Sequence, residues 1–277
     1  MLAGLVLAGC APVARRSPVA GPPQRIISLY PQQDALLLAV ADPRQIAGLS
    51  LYAHDPVLSA DLVASADLPA IPERAEAILA RDPDLVLTSR FTPAATRAAL
   101  ARLGVRAVAL ESATTATESL AQLRQVAALV GHPERGEALA GWLEQRLAAA
   151  APRPSAAPIP ALVFQANGYA AGTGTLIDDL LQRAGFVNAA RRYGVGDWGG
   201  VPLERIVVDP PRVLFAGAPQ PGAPSFAERV LRHPALLALK DKMLIADLPE
   251  RLLLNGGPLM AQTLDRLVAA RRRVEGA

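Results

Sequence analysis

Two phrases of this chain place a carboxylate at matching positions. Residues 76 to 87, "EAILARDPDLVL", and residues 204 to 215, "ERIVVDPPRVLF", align without gaps and pair Glu76 with Glu204, Ile78 with Ile206 and Pro83 with Pro211. Each phrase reads as the end of a helix, a proline turn and the start of a buried strand. A glutamate there has two uses. It can complement the positive end of its own helix, worth roughly 0.3–1 kcal/mol. Alternatively it can offer charge-assisted hydrogen bonds to an arginine on a partner.

A second set of residues is defined by aromatic rings. Aromatic residues make up only 4% of the chain, so the place of each one is informative. Tyr30, Tyr52, His54, Ser89, Arg90, Phe91, Asn167 and Tyr169 fall in loops that follow expected strands, Trp198 lies in the loop before Glu204, and Asn255 follows "LPERLLL". Open parallel sheets bind ligands outside the carboxyl ends of their strands. Rings gathered there suit a flat or bulky, partly apolar ligand. Arg90 is placed to meet an anionic group of a chelate or a propionate. Each residue has a plainer alternative, capping its own lobe or facing solvent. Trp142, inside a helix, and Phe164 and Phe215, inside strands, read as core.

Catalytic and metal chemistry find little support. The three histidines are His54, His132 and His233, and the last two precede prolines at helix breaks. There is no His-x-x-x-His pair and no carboxylate cluster with metal spacing, so no direct metal site is expected. Tyr52 with His54 could reach a haem iron, since both residue types serve as axial ligands. "GTGTL" at 172 to 176 lacks the dinucleotide fingerprint and a P-loop lysine, and no serine sits in a nucleophile elbow.

The elements that must carry these residues alternate. From Arg25 the strands "RIISL", "QIAGLS", "DLVLTS" and "VRAVAL" are interleaved with amphipathic helices, the pattern of β-α-β units and a mainly parallel sheet. Gly104 closes one helix as a left-handed cap. Residues 116 to 150 change texture to two long helices broken at His132-Pro133, and "APRPSAAPIP" marks a boundary. Alternation then restarts with strand "ALVFQA", helix "TLIDDLLQRAG", a loop to about residue 201, helix "LERIVVD" and strand "RVLFAG". A helical stretch "SFAERVLRHPALLAL", strand "DKMLIAD" and a final helix from Pro258 complete the chain. The expected organisation is a leader and tether at 1–24, an α/β lobe at 25–115, a helical linker at 116–159 and a second α/β lobe at 160–277.

At 277 residues with 51% hydrophobic and 19% charged side chains, the chain can fill two cores. Its net charge of +3 comes from scattered arginines and only two lysines, Lys240 and Lys242. There is no basic stripe with stacking aromatics, so nucleic acid is not an expected partner. Cys10 is the only cysteine, which excludes an internal disulfide and a multi-cysteine metal site. "MLAGLVLAGC" looks like the tail of a bacterial lipoprotein signal, with Leu7-Ala8-Gly9-Cys10 as the lipobox, implying cleavage before Cys10 and lipidation of its thiol. The apolar stretch is short and carries no preceding positive charge. Elsewhere no apolar run reaches membrane-spanning length.

Five phrases in order carry a family resemblance: "RIISLYP" (25 to 31), "EAILARDPDLVL", "GTGTLIDDLLQRAGFVNAA" (172 to 190), "VPLERIVVDPPRVLF" (201 to 215) and "HPALLALKDKMLIADLP" (233 to 249). They resemble the helix-linked, class III periplasmic binding proteins of ABC importers for ferric siderophores, haem and vitamin B12. The resemblance implies two Rossmann-like lobes with mainly parallel sheets, joined by one long helix around Pro133 to Ala150 that resists large hinge closure, with the ligand in the cleft between them. It further implies a monomer in the periplasm or cell envelope, tethered to a membrane by lipid on Cys10. One glutamate on each lobe would meet arginines of a permease dimer that works with its ATPase, and those positions are Glu76 and Glu204.

The expected function is therefore non-enzymatic capture of a metal chelate, first a ferric siderophore and next a corrinoid or haem, with no cofactor of its own. Two rivals come from other classes. An α/β enzyme of the nitrogenase-related two-lobed type would need cluster-ligating cysteines, and Cys10 lies outside both lobes. An envelope scaffold without ligand would show no stabilisation by any chelate.

Overall fold

The computed structural model describes residues 21–154, 156–165, 168–217, 233–254 and 256–276. Cys10, Asn167, Asn255 and most of the "SFAERVLRHPALLAL" stretch lie outside the described residues.

The first sheet takes its strands from five short apolar runs: β1 (Ile26–Ser28), β2 (Ile46–Ser50), β3 (Ala70–Ile71), β4 (Leu85–Thr88) and β5 (Ala107–Ala109). Their order is β3-β2-β1-β4-β5 and every pairing is parallel. The helices between them are α1 (Pro31–Val40), α2 (Leu62–Ser65), α3 (Ala75–Leu79) and α4 (Ala94–Arg102). Gly104 has φ +69°, the left-handed cap expected after α4.

The chain then makes two long helices, α5 (Ala116–Leu129) and α6 (Pro133–Ala149). Thr115 caps α5 by accepting from the Glu118 amide, and Pro133 starts α6 where its missing N–H costs nothing. The second sheet contains β6 (Ile159–Phe164), β7 (Tyr169–Ala171), β8 (Phe186–Asn188), β9 (Trp198–Gly200), β10 (Val213–Ala216) and β11 (Leu244–Asp247). The path is β11-β10-β6-β7-β9, with β8 also on β6. The accompanying helices are α7 (Leu176–Arg183), α8 (Leu203–Val208), α9 (Pro234–Leu237), α10 (Arg251–Leu254) and α11 (Met260–Glu275). The fold is thus α/β with two mainly parallel sheets.

Two sequence expectations are corrected. The stretch expected as a loop from the end of α7 to residue 201 instead holds β8 and β9, with a 3-10 turn, Ala189–Tyr193, between them, and β7, not expected as a strand, precedes α7. β7 and β9 pair antiparallel, unlike the rest of the sheet. Strands of three residues, one of them Trp-Gly-Gly, are too short to show a periodicity. Gly172 is required there: its amide reaches the Asp197 carbonyl at 2.6 Å, and a Cβ would lie 1.8 Å from the Gly196 oxygen. The second correction is Trp142, which is 47% exposed and not core. The buried stripe of α6 is Gly136, Ala140, Leu143 and Leu147, at helical spacing, and Trp142 falls beside it. Phe164 and Phe215 are buried in strands as expected.

Period-two alternation explains how the two sheets are held together. In the first sheet Ile26, Leu85 and Leu87 face one way, while Ile27, Leu29 and Val86 face the other. In the second, Ala161, Val163, Val213 and Phe215 alternate with Leu162, Phe164 and Leu214 in the same fashion. The first set from each sheet belongs to one continuous core that also contains Leu123 and Val126 of α5, Leu143 and Leu147 of α6, and Leu264 and Leu267 of α11. The second sets form separate cores on the outer faces. Side chains tie the same region: the Ala116 amide donates to Asp179 of α7 at 2.8 Å, and the Gly257 amide donates to Ser119 of α5 at 2.7 Å. The two sheets are thus joined through one shared core.

Candidate functional site: a cleft between the two sheets

The strands of each sheet end at a common cavity of about 440 Å³, within the roughly 300–1,000 Å³ typical of small-molecule sites. The first lobe contributes Tyr30, Arg90 and Phe91 to its lining, the second Asp197 and Trp198, and the segment joining β5 to α5 passes through it at Ser112 and Thr114.

On the first lobe these residues are stacked. Tyr30, which follows β1 and precedes the first turn of α1, lies against Phe91 with ring centroids 5.6 Å apart and planes at 27°. The Arg90 guanidinium covers the Phe91 ring, 4.8 Å from its centroid, a favourable cation–π distance. Burial raises the Tyr30 phenol above the ordinary tyrosine range, neighbouring Tyr52 adds to this, and Arg90 pulls in the opposite direction. Glu73, which sequence reading did not single out, faces the same phenol and is itself raised by burial. Phe91 is 53% exposed and Trp198 42%, values that suit rings awaiting a ligand face.

The remaining expected residues are placed differently. Ser89 is buried; its hydroxyl accepts from the Phe91 amide at 3.1 Å while its own amide donates to Thr92 Oγ1, so it shapes the loop that presents Arg90 and Phe91. Tyr52 stands on the rim beside Tyr30 and does not line the cavity. His54 is exposed, with Nε2 3.0 Å from the Ser65 carbonyl, and is not part of the lining. Tyr169 is 48% exposed on β7, opposite Gly200, and is not part of the lining. His132 bonds Gln45 Oε1 at the α5–α6 turn and His233 caps α9, turn roles in both cases. Gln32, Thr114, Gln165 and Asp197 line the cavity without having been singled out. Asp197 carried a signal, its adjacency to Trp198; the glutamines carried none.

Electrostatically the cleft is nearly balanced. Among the described lining residues Arg90 is the one cation and Asp197 the one anion. The start of α7 also reaches the cavity through Thr175 and Leu176, yet its first turn already holds Asp178 and Asp179, which offset the positive end of the helix. Among the described residues no group of three or more His, Cys, Asp or Glu could hold a metal ion, and no helix is long and apolar enough to cross a membrane.

Glu76 and Glu204 occupy equivalent places. Each is the second residue of its helix, α3 or α8, is exposed, and makes no side-chain hydrogen bond or ion pair with another described residue. Each helix feeds a strand that pairs in parallel with the first strand of its sheet, β4 with β1 and β10 with β6. A helix returning antiparallel to such a strand starts near the carboxyl edge of the sheet, the edge that carries the cleft loops.

Two α/β lobes joined through α5 and α6 enclose an aromatic-lined cleft, the layout of a solute-binding protein. The chain belongs to the periplasmic binding protein family, whose model matches residues 26–247. Its fold is similar to that of the periplasmic haem-binding protein RhuT from Roseiflexus (24% identity, 91% of this chain and 98% of that one, TM-score 0.72). It is also similar to the vitamin B12-binding protein BtuF of Vibrio cholerae (18%, 92% and 99%, 0.70) and to a protein of the Fe3+-hydroxamate transport system of Saccharomonospora viridis (23%, 94% and 95%, 0.68). No curated protein sequence matches the chain. The family is one of periplasmic solute-binding proteins rather than enzymes, which removes the α/β enzyme rival.

Proposed function

We propose that this chain is the substrate-binding component of an ABC importer and that it captures a bulky metal chelate of little net charge, a ferric siderophore of the hydroxamate kind, in the interlobe cleft. The observation that carries this reading is an aromatic-walled cleft whose one lining arginine is opposed by one lining aspartate. A ferric tricatecholate carries several negative charges and haem carries two propionates. Either would enter a low-dielectric site with too few cations to replace its lost hydration. A corrinoid is the second reading, supported by rings on both lobes that could cover a broad flat macrocycle.

Delivery follows from the paired glutamates. Glu76 and Glu204, exposed at the same place on equivalent helices, would meet arginines on the two halves of a permease dimer and set the docking register, with ATP hydrolysis supplied by the partner ATPase. Lipid on Cys10 would hold the monomer at a membrane surface in the cell envelope.

Tryptophan fluorescence tests the ligand assignment. In a Trp142→Phe background, which leaves Trp198 as the only indole, a ferric trihydroxamate should quench emission saturably and more tightly than haem or a ferric tricatecholate. Tighter binding of either anionic chelate contradicts the charge argument, tightest binding of cyanocobalamin selects the corrinoid, and no response to any of the four favours a ligand-free scaffold.

A further inference from the structure

The first turn of α1 holds three consecutive polar side chains, Gln32, Gln33 and Asp34, all buried. Polar groups are rarely placed so deep unless bonded, and these three reach α5 and the carboxyl ends of β1, β2 and β4. Gln32 Nε2 donates to Gln122 Oε1 of α5 at 2.8 Å. Gln33 Nε2 donates to the Thr88 carbonyl at 2.7 Å, directly before the Ser89–Phe91 loop, and its Oε1 accepts from the Leu29 amide, directly before Tyr30. Asp34 accepts from Ser28 Oγ at the end of β1, and from the Ser50 amide (3.0 Å) and Ser50 Oγ (2.5 Å) at the end of β2. Ser50 Oγ in turn accepts from the Tyr52 amide.

The sheet does not need the Gln33 bonds. The Leu29 amide already donates to the Leu87 carbonyl at 3.2 Å, and the Thr88 carbonyl already accepts from the Leu110 amide at 2.8 Å. A buried glutamine bonded to groups the backbone has satisfied adds a positional constraint more than it relieves an unmet donor or acceptor. We infer that Gln33 and Asp34 are positioning residues for the binding cleft: from one helical turn they fix the carboxyl ends of β1, β2 and β4, and so hold Tyr30 and Phe91 in the arrangement a ligand meets and Tyr52 beside them. The inference rests on reading this cleft as the ligand site.

The test compares Gln33→Met, Asp34→Ala and Asp34→Asn with Leu264→Ala, a core change in α11 remote from these loops. Hydrogen exchange of the unliganded proteins should show faster exchange confined to residues 29–31, 50–54 and 88–92 in Gln33→Met and Asp34→Ala, and not in Leu264→Ala. Affinity for the ferric trihydroxamate should fall about tenfold in those two variants, the scale of one lost hydrogen bond, and stay within about twofold in Leu264→Ala although that variant melts lower. Asp34→Asn, which keeps an acceptor for the Ser50 amide and a donor toward Ser50 Oγ, should restore both readouts. Uniform exchange changes, or affinity tracking melting temperature across all four variants, would overturn the inference. If the wild type binds no chelate, the cleft assignment fails while the exchange pattern still decides whether the clamp exists.

Discussion

The two lobes share one half of their architecture and differ in the other. In both, a first strand (β1 or β6) pairs in parallel with a strand that follows the glutamate-led helix (β4 or β10), and that strand pairs with one more (β5 or β11). On its other side β1 continues with parallel β2 and β3, whereas β6 continues with an antiparallel ribbon, β7 and β9. The duplicated half carries the duplicated residue, Glu76 and Glu204. The unlike halves bring unlike recognition groups: a Tyr30–Phe91–Arg90 stack from one lobe and Asp197–Trp198 on the ribbon from the other. On the proposed function, the like halves would serve docking on a two-fold partner and the unlike halves would grasp a ligand that has no such symmetry.

The largest way to break this comparison is at the ribbon. Gly172→Ala places a methyl against the Gly196 carbonyl, which backbone cannot cheaply yield. It should cost about 3 kcal/mol or more in thermal unfolding and remove ligand binding. In the shared half, Ala80→Ser at the exposed position that follows α3 should leave both within error. Next in size, burial raises the Asp34 carboxyl to about 6. A folded pKa above the unfolded value means the folded state binds the extra proton, so the stabilisation is present below about pH 4 and is lost as pH rises through 6. The loss is on the order of 1–3 kcal/mol. Chemical denaturation across pH 4 to 7 should show it, and Asp34→Asn should flatten that slope.

Smaller effects sharpen the unlike halves. Phe91→Ala and Trp198→Ala should each weaken chelate binding by about tenfold, roughly the worth of one buried aromatic contact, without lowering the melting temperature, because both rings are half exposed. Smallest of all, Tyr193→Phe removes a hydroxyl that donates to the Asp209 carbonyl at 2.6 Å. It should cost about 1 kcal/mol in stability and nothing in affinity.

The shared half was legible in the sequence because it is written in long signals: apolar runs in β4 and β10, prolines at the turns, helical spacing in α5 and α6. The ribbon was not legible, since "YAA" and "WGG" carry no period and glycines read as loop until Gly172 and Gly196 are seen to touch. Trp142 misled because its neighbours along the chain are buried, while its own direction on α6 points past them. Of the cleft, strand-end logic reached Tyr30, Arg90, Phe91 and Trp198. It also selected Ser89, Tyr52, His54 and Tyr169, since position after a strand does not say which way a side chain turns. The buried Gln32-Gln33-Asp34 turn had no sequence signature, because burial of polar groups is visible only once their partners are in place.

The central claim, that the repeated glutamates form a paired docking surface distinct from the cleft, is tested most directly by reversing both charges. Glu76→Lys with Glu204→Lys, assayed with the cognate importer reconstituted in vesicles, should abolish stimulation of ATP hydrolysis and chelate uptake while leaving chelate affinity in solution unchanged. Stimulation at the wild-type level by the doubly reversed protein would contradict it.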